Sequence, residues 1–319
     1  MTPRFSIALA TCNGARFLHA LLDSLAAQSL RPHELVASDD ASTDDTLHCL
    51  EAFAGHSPFP VRILRNREAL GVAGNFGQAL SACAGDCIAL ADQDDVWHPA
   101  KLEKLAAALA APGILAVFSD ADVVDADLTP LGYTMWQRVR FTAQEQRRLA
   151  RGEGFGILLK HRVVTGATLA CKVGLRETAL PMPPGWPHDA WLALLAAAQD
   201  GLAAVPEPLI AYRQHGANLV GGRRRTFLQE ARAGLQLDRG DWYREELGLW
   251  RALDARLATL SAIAARAALA DKIAHLEARA RLPASRWRRV PGVLREVLAG
   301  RYARHARNWG SIALDLLVP

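Results

Sequence analysis

The chain has 319 residues, of which 50% are hydrophobic and 22% are charged, and its formal net charge is +4. This composition excludes an intrinsically disordered protein, and the length allows one large core or two domains. The five cysteines lack zinc-finger or redox spacing, and no uncharged apolar run reaches the ~18 residues that cross a bilayer. We therefore expect a reduced, cytosolic compartment and no signal peptide.

The first 120 residues alternate between predicted strands and predicted helices. Short apolar runs suit strands that are covered on both faces, and leucines at helical spacing, such as Leu18, Leu21 and Leu25, mark the helices between them. Such alternation predicts an α/β fold with a mostly parallel central sheet and helices on both faces. The predicted strands are residues 5–10, 34–38, 61–64, 87–91 and 114–118.

Polar loops follow four of these predicted strands, at residues 11–13, 39–40, 65–66 and 92–95. The carboxyl ends of parallel strands meet at one edge of a sheet, and ligands bind at that edge in such folds. The sequence therefore predicts a binding site where these loops converge.

The run Asp92-Gln93-Asp94-Asp95 is the most acidic of these loops. Carboxylates this close repel one another unless a cation lies among them. Mg²⁺ prefers one or two carboxylates together with the oxygens of a substrate phosphate. A site for a metal and a phosphate is one interpretation, and a solvated turn that caps a helix is the other.

No standard phosphate-binding loop accompanies this site. Gly71, Gly74 and Gly77 are spaced three apart, which is not the dinucleotide fingerprint, and no Gly-Lys-Ser/Thr loop occurs. Phosphate would therefore be held through the metal and by Arg65.

We expect Asp40 to be free to bind a base. The segment Ser42-Thr43-Asp44-Asp45 has the spacing of a capping box, so Ser42 should cap the next helix, with Asp45 as its third residue. The Asp40 carboxylate would then accept a hydrogen bond from a ring N–H, which suits uracil or thymine.

Two later segments also carry reactive groups. The segment from Gly185 to Trp191 puts Asp189 at the start of a predicted helix, beside Trp186 on which a sugar could stack. A carboxylate there can take a proton from a hydroxyl, and a helix cap is its alternative role. His215 lies in the segment from Tyr212 to Asn218, where a metal or diphosphate contact and a structural role are both open.

The last third of the chain is rich in alanine, arginine and leucine. We predict two domains, residues 1–222 and a helical, basic region at residues 223–319. Residues 286–309 mix arginines with Trp287 and Trp309, so this segment is either a solvated helical face or an amphipathic surface for anionic lipid. No nucleic-acid reading motif accompanies the arginines, so we expect no nucleic acid partner.

Residues 5–222 resemble the inverting family-2 glycosyltransferases, which have the A-type nucleotide-sugar fold, a Rossmann-like α/β fold. Within that family, the segments Asp92 to Trp97, His188-Asp189 and Tyr212 to Asn218 are similar to the bacterial rhamnosyltransferase-like branch. The other matching segments are residues 6–14, 38–44, 66–78 and 188–191.

Two positions depart from the family pattern. Cys12 stands where the family often has an aromatic residue, which alters the nucleoside wall. Ala41 replaces the usual glycine, so we expect this turn to avoid a positive φ.

The resemblance implies a role for each matching residue. Asp189 would be the general base, and Mg²⁺ or Mn²⁺ would be held at Asp94 with His215 nearby. Asp92 would contact ribose or the metal, and Asp40 the pyrimidine base. The predicted donor-binding residues are Thr11, Asn13, Asp40, Arg65, Asp92 and Gln93, and the predicted acceptor-binding residues are Trp97, Trp186 and His188.

The resulting prediction is a metal-dependent inverting glycosyltransferase of cell-surface polysaccharide synthesis. It would move a sugar, with rhamnose as one candidate, from a dTDP- or UDP-linked donor to a glycan or lipid-linked acceptor. It would work in the cytoplasm, with peripheral attachment to the inner face of the membrane as an option. The alternatives are a nucleotidyltransferase, which usually has a Gly-rich basic loop where this chain has Thr11 to Arg16, and a non-catalytic carbohydrate-binding protein.

Overall fold

The computed structural model describes residues 3–216, 239–260, 262–306 and 309–317. The chain divides into two compact units, one formed by residues 1–154 and 163–215 and the other by residues 155–162 and 216–319. The predicted boundary between residues 222 and 223 lies outside the described residues, as do Ala217 and Asn218.

The first unit contains a sheet of nine described strands. They are β1 Phe5–Thr11, β2 Glu34–Asp39, β3 Val61–Arg65, β4 Cys87–Asp92, β5 Val96–Trp97, β6 Ala116–Val124, β7 Pro130–Thr134, β8 Leu169–Lys172 and β9 Leu202–Arg213. Their order in the sheet is β3-β2-β1-β4-β8-β6-β9-β5, and β7 pairs with β6.

Strands β3, β2, β1 and β4 form a parallel half-sheet. Successive side chains of a strand point to opposite faces, and here both sets are buried, Ile7 and Leu9 on one face and Ala8 and Leu90 on the other. A strand covered on both faces needs a continuous apolar run, which is why β1, β2 and β4 are recognisable in the sequence, whereas edge strand β3 is only partly buried.

Helices cover this sheet, as predicted, and the α/β class is confirmed. Leu21, Leu50 and Leu105, from three different helices, share one core with Ile7 and Leu9. The helices described for this unit are α1 Ala15–Ala26, α2 Thr46–Ala54, α3 Gly71–Ala82, α4 Lys101–Leu109, α5 Met135–Val139, α6 Ala143–Leu149, α8 Val173–Ala179 and α9 His188–Ala197.

The other half of the sheet is mixed, so the parallel arrangement holds only on the β1 side. Strand β8 is antiparallel to β4 and β6, and β5 is antiparallel to β9, whereas β6 and β9 are parallel. Strand β9 continues through Pro206 and Pro208 because its register against β6 shifts between Val205 and Pro208. Such a bulge is one of the few places where a strand tolerates proline.

The second unit is helical, which confirms the predicted helical C-terminal region. Its buried Asp315 accepts hydrogen bonds from Arg279 Nε at 2.6 Å and from the Tyr302 hydroxyl at 2.7 Å. Among the described residues, no helix is both long enough and apolar enough to cross a membrane. The helices are α7 Gly154–Lys160, α10 Arg239–Ala258, α11 Ile263–Ala280, α12 Arg286–Leu298, α13 Arg301–His305 and α14 Trp309–Leu317.

Candidate active site

The loops that follow β1, β2 and β4 lie side by side. Strands β1 and β2 align Thr11 with Asp39, and strands β1 and β4 align Ala10 with Asp92. Because the three strands are parallel, their carboxyl ends bring the predicted donor and metal residues to one edge of the sheet.

Asp39 connects two of these loops, and the sequence reasoning did not assign it a role. Its buried carboxylate accepts hydrogen bonds from the Thr11 hydroxyl at 2.9 Å, the Ser42 hydroxyl at 2.6 Å and the Ser42 backbone N–H at 3.0 Å. The Thr11 hydroxyl is therefore already committed to Asp39. A donor contact by Thr11 stays a prediction.

Asp40 is not free, contrary to the expectation. Its Oδ1 accepts hydrogen bonds from the Leu70 N–H at 2.7 Å and the Asn66 side-chain amide at 3.0 Å, and its Oδ2 accepts one from the Gly71 N–H at 2.9 Å. The two backbone N–H groups belong to the start of α3, where a helix lacks internal acceptors. A carboxylate has about four acceptor positions, so one position on Oδ2 is left for the predicted base contact.

The turn after Asp40 differs from the prediction in two ways. Helix α2 begins at Thr46 with Asp45 as its N-cap, because the Ser42 hydroxyl is instead bonded to Asp39 and accepts the Asn13 N–H at 2.8 Å. Ala41 has a φ of +57°, whereas a negative φ was expected. The left-handed region costs an alanine about 1–2 kcal/mol, so the bonds around it must hold Ala41 there.

Gln93 joins the acidic loop to the loop after β1. Its Oε1 accepts the Cys12 N–H at 2.8 Å, and its Nε2 donates to the Cys12 carbonyl at 3.0 Å. A Cβ at Gly14 would overlap the Gln93 carboxamide and displace this side chain from its bonds to Cys12. The Asn13 side-chain oxygen accepts the Thr43 N–H at 2.8 Å. The predicted donor residues Asn13 and Gln93 thus lie on adjoining loops.

The predicted metal residues Asp94 and His215 are in direct contact. Oδ2 of Asp94 lies 2.8 Å from Nε2 of His215, and the His215 ring packs on Phe17 with 4.6 Å between centroids. His215 follows β9, so this strand returns the chain to the acidic loop. The structure therefore places side by side two residues that the family resemblance assigned to one metal site, and their metal binding stays a prediction.

Arg213 fixes the backbone of the acidic loop, which the sequence reasoning missed. Its N–H donates to Asp95 Oδ1 at 3.0 Å, its Nε donates to the Asp94 carbonyl at 2.8 Å, and a further guanidinium N–H donates to the Ala126 carbonyl. The guanidinium also lies over the Phe17 ring, 4.6 Å from its centroid. No local sequence signal marks an arginine as buried against a loop so distant in the chain.

Asp92 and Asp189 lie within electrostatic reach of each other. Burial raises the pKa of Asp92 to about 7, and the charges of Asp94 and Asp189 add to this shift. A carboxyl group with such a pKa is costly to ionise near neutral pH, and a bound cation would offset that cost. Helix α9 therefore delivers Asp189 to the same site as the acidic loop.

The start of α9 is anchored by His188. Its ring stacks on Phe76 of α3, with 3.8 Å between centroids and 22° between planes, and burial lowers the pKa of His188. The N-cap is Pro187, and Asp189 Oδ1 accepts only the N–H of the next residue, Ala190, among the bonds described. The alternative role of Asp189 as a helix cap is therefore not observed.

Lys101 is fully buried next to the acidic loop and was not predicted as a site residue. Its Nζ donates to the Ala167 carbonyl at 2.6 Å and lies 3.3 Å from the centroid of the Trp97 ring. Burial lowers the pKa of Lys101, and the charges of Asp95 and Asp92 oppose that shift. Lys101 lies four residues before Leu105 on the buried face of α4, a spacing that could have indicated its burial.

The side chains predicted to contact an acceptor are closed to solvent. Trp97 and Trp186 are 2% exposed and His188 is 6% exposed. Sugar stacking on these rings is not available in this conformation, and their acceptor role stays a prediction.

Arg65 is exposed at the end of β3 and pairs with Glu51. Because an exposed ion pair is weak, a phosphate could replace Glu51 there.

The donor atoms at this site fit a hard divalent cation that is completed by a ligand. No group of three or more His, Cys, Asp or Glu side chains within the described ranges is arranged to hold a metal ion by itself. Asp94 Oδ2 and His215 Nε2 are 2.8 Å apart, a hydrogen-bond distance, so a cation bound there would take the place of the shared proton. Substrate phosphate oxygens commonly supply the remaining ligands of such an ion.

Residues 6–160 match the model of Glycosyl transferase family 2. The chain is 35% identical to EpsE of Bacillus subtilis (strain 168) over 107 residues, which are 34% of this chain and 38% of EpsE. It is 26% identical to the dTDP-rhamnosyl transferase RfbG of Shigella flexneri over 252 residues, 75% of this chain and 82% of RfbG. The chain thus spans well under half the length of EpsE but most of RfbG.

Two solved structures share the fold. TarS 1-349 of S. aureus in complex with UDP-GlcNAc has a TM-score of 0.58 at 15% identity, over 93% of this chain and 81% of that chain. The mannosyltransferase PcManGT from Pyrobaculum calidifontis in complex with GDP-Man and Mn²⁺ has a TM-score of 0.51 at 20% identity, over 99% and 86%. At such identities the likeness concerns the fold. The likeness to the family itself lies in residues 6–160, which match its model.

Proposed function

We propose that this chain is a metal-dependent inverting glycosyltransferase that moves a sugar from a nucleoside-diphosphate sugar to an acceptor hydroxyl. One observation carries the proposal: the carboxyl ends of β1, β2 and β4 bring together the acidic loop and the loops beside it, with Asp94 in contact with His215 and the charge of Asp189 acting on the buried Asp92. Three carboxylates that interact electrostatically suit a site where a cation and a diphosphate are bound next to a general base.

Asp189 is the proposed general base. Its carboxylate accepts the proton of the acceptor hydroxyl, whose oxygen attacks the anomeric carbon from the face opposite the nucleotide and so inverts its configuration. Charge neutralisation of the leaving diphosphate is the chemistry that Mg²⁺ or Mn²⁺ supplies when Asp94 and His215 hold it. Asp40 and Gln93 hold the nucleoside part of the donor.

dTDP-rhamnose is the first donor to test, and UDP-linked hexoses are the second. The similarity to RfbG over 75% of this chain supports this order. The proposed acceptor is a hydroxyl of a glycan or lipid-linked saccharide in cell-surface polysaccharide synthesis. The reaction then takes place in the cytoplasm or at the inner face of the membrane.

Incubation of the full chain with each candidate nucleotide sugar, an acceptor and Mn²⁺ tests this proposal. A glycosyltransferase releases the nucleoside diphosphate and forms a glycosylated product, a nucleotidyltransferase releases pyrophosphate, and a binding protein releases neither. We expect nucleoside diphosphate with product of inverted anomeric configuration, and loss of product when a chelator removes the metal. Pyrophosphate release or retained configuration would refute the proposal.

A further inference from the structure

Helix α12 buries Val293 together with charged side chains, and its opposite side presents large apolar side chains to solvent. Arg289 and Glu296 are 2% and 4% exposed, whereas Trp287 and Leu298 are each 87% exposed and Leu294 is 52% exposed. In a water-soluble helix the apolar side normally faces the core. The exposed side of α12 therefore needs a partner to explain it.

The buried charges fix this orientation. Arg289 donates to the Pro283 carbonyl at 2.6 Å and to the Asp315 carbonyl at 3.1 Å. Glu296 lies 2.8 Å from His275 Nδ1 and accepts a hydrogen bond from Arg301 at 3.1 Å. Rotating the helix to hide its apolar side would break these bonds and leave charges unpaired. The helix is therefore held with its apolar side outward.

The exposed apolar residues form one continuous stripe, which we call the α12 stripe. Trp287, Val290, Leu294 and Leu298 are spaced by three, four and four residues, so at 3.6 residues per turn they cover about 80° of the helix surface. The same helical geometry puts Arg286 on one side of the stripe and Arg288 and Arg295 on the other. These three arginines are exposed and have no ion pair among the described residues.

We propose that the α12 stripe docks on the surface of an anionic lipid bilayer. An interfacial helix typically combines tryptophan and leucine on one side with arginines at its margins, where they meet lipid phosphates. Unpaired arginines on both margins favour a surface of dense negative charge over the mixed charges of a protein partner. This docking adds to the proposed transfer reaction, since it would hold the enzyme where lipid-linked acceptors are presented, but it does not depend on that reaction.

Vesicle co-sedimentation of the full chain tests the proposal without any sugar donor. The vesicles contain either phosphatidylcholine alone or equal parts of phosphatidylcholine and phosphatidylglycerol. We expect the parent protein to bind the anionic vesicles, and to bind them more weakly in high salt. The variant Trp287→Ser/Leu294→Ser/Leu298→Ser should lose about tenfold or more in vesicle affinity. Ile263→Ser, which removes an exposed apolar side chain from α11, should bind like the parent protein.

The arginines are tested by a matched pair of triple variants. Arg286→Gln/Arg288→Gln/Arg295→Gln should lose most of the preference for anionic vesicles. Arg147→Gln/Arg151→Gln/Arg162→Gln removes the same charge from other exposed sites and should keep that preference. Every variant should turn over donor with a soluble acceptor at the parent rate. This control separates failed docking from failed transfer and from misfolding.

Three results would overturn the proposal. The parent protein could fail to bind anionic vesicles, or the stripe variant could bind as well as the parent. Alternatively, light scattering without vesicles could show a dimer that the stripe variant abolishes while vesicle binding is unchanged. That last result would assign the stripe to contact between two copies of the chain.

Discussion

Lys101 is a buried amine beside the acidic loop. Burial raises the pKa of Asp95 well above its ordinary value, with the charges of Asp94 and Asp92 adding to the shift and Lys101 opposing it. Asp95 Oδ2 is buried and has no hydrogen-bond partner among the described atoms. Lys101 also donates to the Ala167 carbonyl, one residue from Gly166, where a Cβ would contact His188. It therefore links the acidic loop to the segment that packs against the start of α9.

Replacing Lys101 should destabilise the first unit. We expect Lys101→Met to lower the free energy of unfolding by about 2–4 kcal/mol, because the buried Ala167 carbonyl loses its donor and Asp95 loses a polar neighbour. Urea denaturation measures this loss, and Lys104→Met, on the exposed side of the same helix, should change stability by less than about 0.5 kcal/mol. Adding Asp95→Asn to Lys101→Met should recover part of the loss. Strictly additive losses would show that the two groups are not coupled.

Replacing Ala41 with glycine should stabilise the protein. Its φ of +57° is unfavourable for alanine and free of steric cost for glycine, so Ala41→Gly should raise the free energy of unfolding by about 0.5–1 kcal/mol. The control Ala52→Gly, in the last turn of α2, should lower it by about 0.5–1 kcal/mol. Both values come from urea denaturation. A loss of stability in Ala41→Gly as large as in Ala52→Gly would contradict the left-handed conformation.

Among the elements, the strands with continuous apolar sequence were predictable, including the start of β6, whereas the directions and pairings within the mixed half of the sheet were not. Strands β1, β2 and β4 are recognisable because both of their faces are buried, and β3, at the edge of the sheet, is only partly buried. Strand β9 contains Pro206 and Pro208, which locally indicate a break, and only its pairing with β6 reveals a bulge. Antiparallel β8 and two-residue β5 depend on partners far away in sequence, which no local pattern encodes.

Helix α11 should make the stability of the second unit depend on pH. Burial lowers the pKa of His275 to about 4 from an ordinary 6.5, and the charges of Arg279 and His305 also lower it while Glu296 raises it. The unfolded chain then binds the proton more readily than the folded one, so stability is lost as pH falls from 6.5 towards 4. From pH 7 to 5 we expect a loss of about 2 kcal/mol from this group.

Hydrogen exchange of the α11 amides measures this effect within the second unit. Protection factors, which are corrected for the intrinsic pH dependence of exchange, should fall between pH 7 and pH 5. The variant His275→Gln should show a flatter profile. Equal protection at both pH values in the parent protein would mean that His275 titrates normally.

For the molecule as a whole, the sequence predicted that loops meet at one edge of the sheet, but not the contacts between those loops. The loops after β1, β2 and β4 could be placed together because parallel strands share a carboxyl edge. The roles of Asp39, Lys101 and Arg213 could not be found, since each depends on a partner in a distant segment. Asp40 was predicted to be free because Ser42 was expected to cap the next helix. Its actual partners, at the start of α3, follow only from the packing of that helix.

Single-turnover transfer by Asp189→Asn tests whether Asp189 is the general base or has only a structural role in the site. With donor, acceptor and Mn²⁺ present, the variant should transfer sugar ~10²–10⁴-fold more slowly, while its calorimetric affinity for the nucleoside diphosphate is unchanged. Asp200→Asn, an exposed aspartate beyond the end of α9, should transfer at the parent rate. Transfer by Asp189→Asn at a rate near that of the parent protein would contradict the assignment of the base and of the reaction built on it.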